Sequence, residues 1–255
     1  MPLREQAQMK PALSARNRKG PASWQQIPQG EALCAATESQ LAAWWPQIFG
    51  YYLLKVGDLS CQLDTQSSPI KHHIHLGIKA SQCQLQANSD ALPLLDLSVD
   101  AVLLCHAHEF CSDPHHLMRE VHRVLRSDGY LLLSGFNPVS LAGLMKLNPW
   151  VRHKAPWNGR FFTLSRLKDW LYLLGFEVVD EQRFYASSLL GKVPSASRWR
   201  TLLAKGFGSS YLLVARKREL PLTPIRPKWQ LAPDYPQTVR GTLTTNRLGS
   251  SKSKL

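Results

Sequence analysis

The chain has 255 residues, of which 44% are hydrophobic and 19% are charged. This composition is ordinary for a globular protein and excludes a collagen-like or wholly disordered chain. The length suits one main α/β domain. The net charge of +13 excludes an acidic protein, but this charge is unevenly distributed along the chain.

Basic residues are concentrated in two proline-containing segments, 1–30 and 220–255, which together carry +9 of the net charge of +13. Such charge could attract nucleic acid or an anionic membrane. No RNA-binding motif accompanies it, so flexible, solvated ends are the favoured interpretation. We therefore predict a basic arm over 1–30, one domain over 31–219 and a disordered tail over 220–255.

The sequence contains no secretory signal, since residues 9–18 mix polar and basic side chains without an apolar core. No stretch approaches the roughly 20 apolar residues of a membrane span. The five cysteines are never spaced as C-x-x-C, which favours reduced thiols. We expect a cytoplasmic protein.

The amino-terminal half carries weaker structural signals. An amphipathic helix is predicted over 31–45, either as a lid or as an extra helix on a sheet. A buried strand follows over Tyr51–Val56 and stops at Gly57. Two weaker strand candidates are His73–Ile78 and Cys83–Ala87.

These three strands are crowded together. The linker from Ile78 to Cys83 is too short for a parallel crossover. We therefore expect either a hairpin between the two weaker strands or one strand fewer. Because a βαβ unit takes roughly 30 residues or more, at least one crossover helix is predicted to be missing.

Residues 99–134 predict a strand–helix–strand unit. Val99–Leu104 is almost wholly apolar, as in a parallel strand covered on both faces. Asp113 and Pro114 suit the N-cap and first position of a helix, which is predicted to end at Ser127–Gly129. Tyr130–Ser134 is the next buried strand.

A long connection over 135–162 is typical of a functional segment. A helix is predicted beyond it over 164–174, and final strands are predicted over 176–185 and 211–215. Prolines after residue 219 mark the end of the domain.

A family resemblance rests on two segments. Residues 90–102 read D-A-L-P-L-L-D-L-S-V-D-A-V, and residues 113–129 read D-P-H-H-L-M-R-E-V-H-R-V-L-R-S-D-G. Together they resemble the type 11 group of class I S-adenosylmethionine-dependent methyltransferases. Gly-Phe-Glu-Val-Val from residue 175 and the closing Tyr-Leu-Leu-Val-Ala-Arg-Lys continue the resemblance.

The resemblance implies a Rossmann-like, mostly parallel sheet, here with a shortened amino-terminal half. It implies S-adenosylmethionine across the carboxyl ends of the first four strands, as ligands lie in open α/β sheets. Gly57 would lie near the methionine part of the cofactor, and Asp90 with Ala91 near the adenine. Cys105 and His106 would form the wall beside the transferable methyl group.

The methyl acceptor is unidentified, but candidate residues follow two strands. His106, His108 and Glu109 could supply a base if the acceptor carries a proton. We expect a functional role for His106, a core position for His108 and a helix-capping role for Glu109. Phe136 and Asn137 could line the acceptor pocket.

The basic and aromatic segment 150–162 could close over an anionic acceptor or pack on the core. The closely spaced histidines at 72, 73 and 75 lack an acidic or cysteine partner at ligand spacing, so we predict no metal site.

The chain departs from the family pattern after its first strand, where Gly57 alone remains of a glycine-rich loop. No carboxylate ends the second strand to hold the ribose, and Phe110 stands where a histidine is common. We therefore keep a second hypothesis, a non-catalytic methyltransferase-like module that binds a protein or nucleic acid.

Overall fold

The computed structural model describes residues 20–77, 85–86, 91–185 and 208–219. Within these ranges the chain forms one seven-stranded sheet with helices on both faces. The strands are β1 Tyr52–Val56, β2 His72–Gly77, β3 Leu85–Gln86, β4 Val99–Cys105, β5 Leu125–Phe136, β6 Phe176–Phe184 and β7 Ser210–Lys217. The helices are α1 Gly30–Ala42, α2 Asp58–Gln62, α3 Ala107–Phe110, α4 Pro114–Val124, α5 Leu141–Leu144 and α6 Leu164–Leu173, with 3-10 turns at Trp24–Gln26, Trp45–Gln47 and Met145–Leu147.

The strand order is β3-β2-β1-β4-β5-β7-β6. Strands β1 to β5 run parallel, and β7 pairs antiparallel with both β5 and β6. The predicted Rossmann-like, mostly parallel sheet is therefore confirmed. None of the helices in the described ranges is long and apolar enough to cross a membrane.

The predicted domain boundary at residue 30 falls too late. Trp24 and Ile27 are buried among core residues, and the 3-10 turn at Trp24–Gln26 leads directly towards α1. The domain therefore includes residues 20–30. The rest of the arm and the predicted tail over 220–255 lie outside the described residues.

The amino-terminal half is shortened as expected, but β2 and β3 do not form a hairpin. They are parallel, with Leu76 opposite Leu85 and Gly77 opposite Gln86. Only the last two residues of β2 pair with β3. Residues 78–84, which connect the two strands, lie outside the described residues. The crossover from β1 to β2 keeps α2, a helix of five residues.

The predicted turn at Ser127–Gly129 is also wrong, because α4 ends at Val124 and β5 begins at Leu125. Leu125 pairs with Val99, and the register then shifts before Ala101 pairs with Tyr130. A bulge of this kind absorbs extra residues without ending the strand.

Two apolar clusters cover the two faces of the sheet. Alternation along β4 sends Val102 and Leu104 to one cluster and Ala101 and Leu103 to the other. The first cluster contains the apolar faces of α4 and α6, and the second contains α1, α2 and Trp24. The predicted extra helix over 31–45 is therefore packed on the sheet as α1.

The helix α4 begins where the sequence predicts. The Asp113 carboxylate accepts hydrogen bonds from the backbone N–H groups of His115 and His116, at 2.9 and 3.1 Å. Pro114 occupies the first turn, where no intrahelical N–H donor is needed.

Candidate functional site

The carboxyl ends of β1 and β4 lie side by side at the centre of the sheet. From β1 the chain proceeds to β2 and β3 on one side, whereas β4 and β5 lie on the other side. This change of direction is the topological switch point at which open α/β sheets bind ligands. Gly57 follows β1 and His106 follows β4, so the structure brings these two predicted site residues to the same edge.

Gly57 has a backbone conformation that suits glycine alone. Its φ is +96° and its ψ is 150°, a region that other residues essentially never adopt. A Cβ atom at this position would lie 2.8 Å from the Cβ of Ala107. The N–H of Gly57 donates to the Leu76 carbonyl at 2.8 Å, which ties the turn to β2.

Helix α2 takes the place of an open glycine-rich loop. The Ser60 hydroxyl donates to the Val56 carbonyl at 2.6 Å and accepts from the Cys105 N–H at 2.7 Å. One buried side chain therefore holds the ends of β1 and β4 together. Leu59 is buried beside it, and its carbonyl accepts from the Trp24 indole N–H at 3.2 Å.

His106 and Glu109 form a fully buried pair. His106 Nδ1 lies 3.0 Å from Glu109 Oε2, and the other carboxyl oxygen accepts from the Phe136 N–H at 2.6 Å. Glu109 therefore does not cap the next helix as predicted, because Asp113 fills that position. His106 has a φ of 56°, which turns the chain sharply from β4 into α3.

The electrostatic state of this pair follows from its burial. Burial lowers the pKa of His106 to about 3, so the imidazole is neutral at neutral pH. Burial also raises the pKa of Glu109 well above its usual value, opposed by the Phe136 N–H and Lys146. We assign a protonated carboxyl that donates to Nδ1 and leaves the ring hydrogen on Nε2.

The other ring nitrogen of His106 is a buried polar atom with no hydrogen-bond partner among the described residues. The ring lies between aromatic neighbours, with the Phe136 ring centroid at 4.0 Å and the Trp24 centroid at 5.8 Å. A buried unpaired N–H costs about 1–3 kcal/mol, so Nε2 is a candidate position for a ligand contact.

The neighbouring predicted residues have well-defined surroundings. The Phe136 ring lies 4.0 Å from His106 and 5.2 Å from Phe161. The Asn137 amide donates to the Gly208 carbonyl at 3.0 Å and accepts from the Val139 N–H at 3.1 Å. Both ends of this amide are used within the protein, which fixes the start of the long connection.

Cys105 ends β4 with its side chain in the apolar cluster that also contains Leu103. Burial raises the pKa of the thiol well above its usual value. His108 is in the core as predicted, where its Nε2 lies 3.2 Å from the Tyr211 hydroxyl. The His106 side chain therefore packs on one face of the sheet, and the His108 side chain packs on the other.

Ala91 begins a turn that is held by α4. The Glu120 carboxylate accepts from the Leu92 N–H at 3.0 Å, and Arg123 donates to the carbonyls of Leu92 and Leu94 at 3.0 and 2.9 Å. Arg123 also pairs with Glu120 at 2.8 Å. Asp90, the predicted adenine contact, lies outside the described residues.

The roles of Glu120 and Arg123 in holding this turn were not predicted from the sequence. Glu120 and Arg123 lie in the segment 113–129, and Leu92 lies in the segment 90–102; these are the two segments that carry the family resemblance. That joint occurrence was a signal that the two segments touch. A second missed residue is Lys55, whose buried ammonium donates to the Leu63 carbonyl at the end of α2 at 2.9 Å.

The described histidines do not converge on a metal centre. No group of three or more His, Cys, Asp or Glu side chains within the described ranges could hold a metal ion. Four of the five cysteines are described, and none of these four forms a disulfide bond.

Comparison with known proteins identifies relatives of this chain. The methyltransferase domain family matches residues 51–133. The uncharacterized protein YafS of Escherichia coli is 40% identical over 218 residues, which cover 84% of this chain and 88% of YafS.

Solved structures share the fold at low sequence identity. A chain from the complex of the Haloferax volcanii Trm112 methyltransferase activator with a methyltransferase aligns with a TM-score of 0.58 and 17% identity, over 74% of this chain and 92% of that chain. An S-adenosylmethionine-dependent methyltransferase from Archaeoglobus fulgidus aligns with a TM-score of 0.51 and 22% identity, over 71% and 93%. The chain belongs to the type 11 methyltransferase-domain family of class I S-adenosylmethionine-dependent methyltransferases.

Proposed function

We propose that this protein transfers a methyl group from S-adenosylmethionine to an acceptor held beside His106. The observation that carries the proposal is the unpaired Nε2 of His106, buried at the switch point between β1 and β4. Family membership supports methyl transfer, and the acceptor is the part that the proposal leaves to experiment.

The residues at this edge fit the proposed cofactor. Gly57 keeps the glycine-only conformation that lets a backbone come close to a ligand. In the proposal Gly57 lies beside the methionine part, Asp90 and Ala91 hold the adenine, and Cys105 and His106 line the methyl side. The bound cofactor supplies an electrophilic methyl group on a sulfonium.

The protein itself contributes alignment and exclusion of water. Methyl transfer is an in-line displacement, so its rate depends strongly on how the two reacting atoms are positioned. His106 Nε2–H can donate to the acceptor atom and orient its lone pair. Because a pKa of about 3 makes a poor base at neutral pH, this enclosed site suits an acceptor atom that arrives without its proton.

The two predicted acceptor residues take different roles in this proposal. Phe136 contacts the His106 ring and forms an apolar wall of the acceptor pocket. Asn137 acts indirectly, since its amide is bonded to Gly208 and Val139 and fixes the loop behind Phe136. We also propose the cytoplasm as the compartment, in line with the four described cysteines, none of which is disulfide-bonded.

One observation favours the alternative, a non-catalytic module that binds a protein or nucleic acid. Leu59 is buried beneath Trp24 where the family has a glycine-rich loop, and this packing fills space near Gly57. The basic termini would serve nucleic-acid binding in this alternative.

Calorimetric titration with S-adenosylmethionine and with its demethylated product separates the two functions. The proposal predicts saturable heat with both compounds. Absence of heat at high micromolar concentrations would exclude the enzyme and leave the binding module. After binding is shown, transfer of a labelled methyl group into a cell extract identifies the acceptor, and His106→Ala should abolish this transfer.

A further inference from the structure

Exposed apolar side chains are concentrated in the connection that follows β5. Fourteen large hydrophobic residues are exposed among the described residues, and five of them lie between residues 139 and 150. Leu147 is 80% exposed and Trp150 is 86% exposed. The five residues are Val139, Leu141, Leu144, Leu147 and Trp150.

The connection presents these side chains from a fixed backbone. Leu141, Leu144 and Leu147 are spaced by three residues along α5 and the following 3-10 turn, which places them on one face. Ala142 is buried on the opposite side, and its carbonyl accepts from the Trp157 indole N–H at 2.8 Å.

The segment that carries this face is basic in sequence. Residues 129–168 contain no Asp or Glu and six Lys or Arg residues. Arg152 and Lys154 are exposed, and neither pairs with a carboxylate in the described part of the chain. The Arg152 guanidinium donates instead to His153 at 3.2 Å.

We propose that this apolar-basic surface docks on an anionic lipid bilayer. The surface comprises the five exposed apolar residues named above together with Arg152 and Lys154. Protruding Leu and Trp side chains can enter the boundary between headgroups and acyl chains, while Arg and Lys contact anionic headgroups. Lysine is depleted at protein interfaces, so the exposed Lys154 favours the bilayer over a protein partner.

The surface adjoins the candidate site. Lys146 lies in the 3-10 turn between exposed leucines, and its ammonium is 4.7 Å from the centroid of the Phe161 ring. Phe161 contacts Phe136, which contacts His106. The segment that carries the surface is therefore joined through Lys146 and Phe161 to the aromatic neighbours of His106. The docking itself does not depend on the proposed methyl transfer.

Vesicle flotation of the full chain tests the proposal. Wild-type protein should float with vesicles containing about one third phosphatidylglycerol and remain behind with pure phosphatidylcholine. Leu147→Asp combined with Trp150→Asp should lower the floated fraction at least about tenfold. Both positions are exposed, so the fold should be retained, and thermal unfolding of the variant checks this.

The matched control is Tyr172→Asp combined with Leu173→Asp on α6, which adds the same charge at exposed apolar positions. This control should float like wild type. Because the basic ends are identical in all three proteins, they cannot explain a difference between the two double variants.

Three outcomes would overturn the proposal. Wild-type protein that ignores phosphatidylglycerol vesicles would leave the surface to a protein partner. Equal flotation of the two double variants would place lipid binding elsewhere, for example in the basic ends. Equal flotation with phosphatidylglycerol-containing and pure phosphatidylcholine vesicles would show that Arg152 and Lys154 do not contribute to binding. Calorimetry with S-adenosylmethionine on the same proteins keeps these outcomes separate from a failure of the proposed enzyme.

Discussion

His106 Nδ1 and Glu109 Oε2 lie 3.0 Å apart, and neither side chain reaches solvent. The carboxyl group also accepts from the Phe136 N–H, so it joins the turn after β4 to the end of β5. A group that joins two strand ends in the dry interior contributes to both the fold and the orientation of the His106 ring.

Glu109→Gln should leave the free energy of unfolding close to that of wild type. The amide can accept from the Phe136 N–H and donate to Nδ1, as a protonated carboxyl does. Glu109→Ala should cost about 2–4 kcal/mol, because it leaves buried polar groups unpaired. Urea denaturation measures both variants, and equal losses would show that Glu109 is ionised in the folded protein.

The pH dependence of stability should report His108. Burial, and to a smaller extent the neighbouring His106, lowers its pKa to about 3, whereas the unfolded value is about 6.5. Between these values the unfolded chain binds a proton that the folded chain does not. As far as His108 is concerned, the free energy of unfolding is therefore highest above pH 6.5. It decreases as the pH falls towards 3.

The expected loss from this one group between pH 7 and pH 5 is about 2 kcal/mol. His108→Gln should lose that much less than wild type over the same interval, as measured by urea denaturation at both pH values. His106 and Glu109 are present in both proteins, so their contributions cancel in the difference. Identical pH slopes would mean that His108 is protonated in the folded chain.

Gly57→Ala should destabilise the protein by about 2–5 kcal/mol, since it combines a disfavoured backbone conformation with overlap against Ala107. Gly175→Ala is the control, because Gly175 has a φ of 84° but its added Cβ would meet nothing closer than 3.6 Å. That control should cost only about 1–2 kcal/mol. Equal losses of stability for the two variants in thermal unfolding would show that Ala107 moves away from the added Cβ atom without an energetic cost.

Arg123→Ala should loosen the turn that begins at Ala91. The guanidinium bonds to two carbonyls of that turn and to Glu120, so the loss should be about 1–3 kcal/mol. Arg126→Ala removes an exposed pair with Asp100 and should cost at most about 1 kcal/mol. Calorimetry should also show weaker cofactor binding for Arg123→Ala alone, and unchanged binding would separate this turn from the site.

If the proposed cofactor position is right, Asp90→Ala should weaken S-adenosylmethionine binding by about 1–3 kcal/mol, because the adenine amino group would lose its acceptor. Arg240→Ala, in the basic tail, should leave the affinity unchanged. Equal effects of the two substitutions in calorimetry would contradict the proposed position of the cofactor.

The central part of the fold could be predicted because its signals are local. The apolar runs of β4 and β5 and the Asp113-Pro114 start of α4 each act within a few residues. The misplaced end of α4 has a tertiary cause, since Leu125 joins a strand by pairing with Val99.

Other features depend on distant partners and leave no periodic pattern. Trp24 lies in a polar, proline-containing segment, yet it is buried against Leu59 and His106, which are far away in the sequence. The pair between β2 and β3 involves two residues on each strand, too few for a register to be read from hydrophobicity.

The enclosure of His106 sets a kinetic condition on any reaction at Nε2. Phe136 belongs to β5 and is fixed by the sheet, whereas Trp24 lies on a segment held to α2 by the Leu59 carbonyl and by two hydrogen bonds between Gln62 and residues 22–24. In the proposed function, access to Nε2 therefore requires withdrawal of Trp24. The frequency of this opening would then limit turnover, so weaker Gln62 contacts would speed a gate-limited enzyme while admitting water to the methyl side.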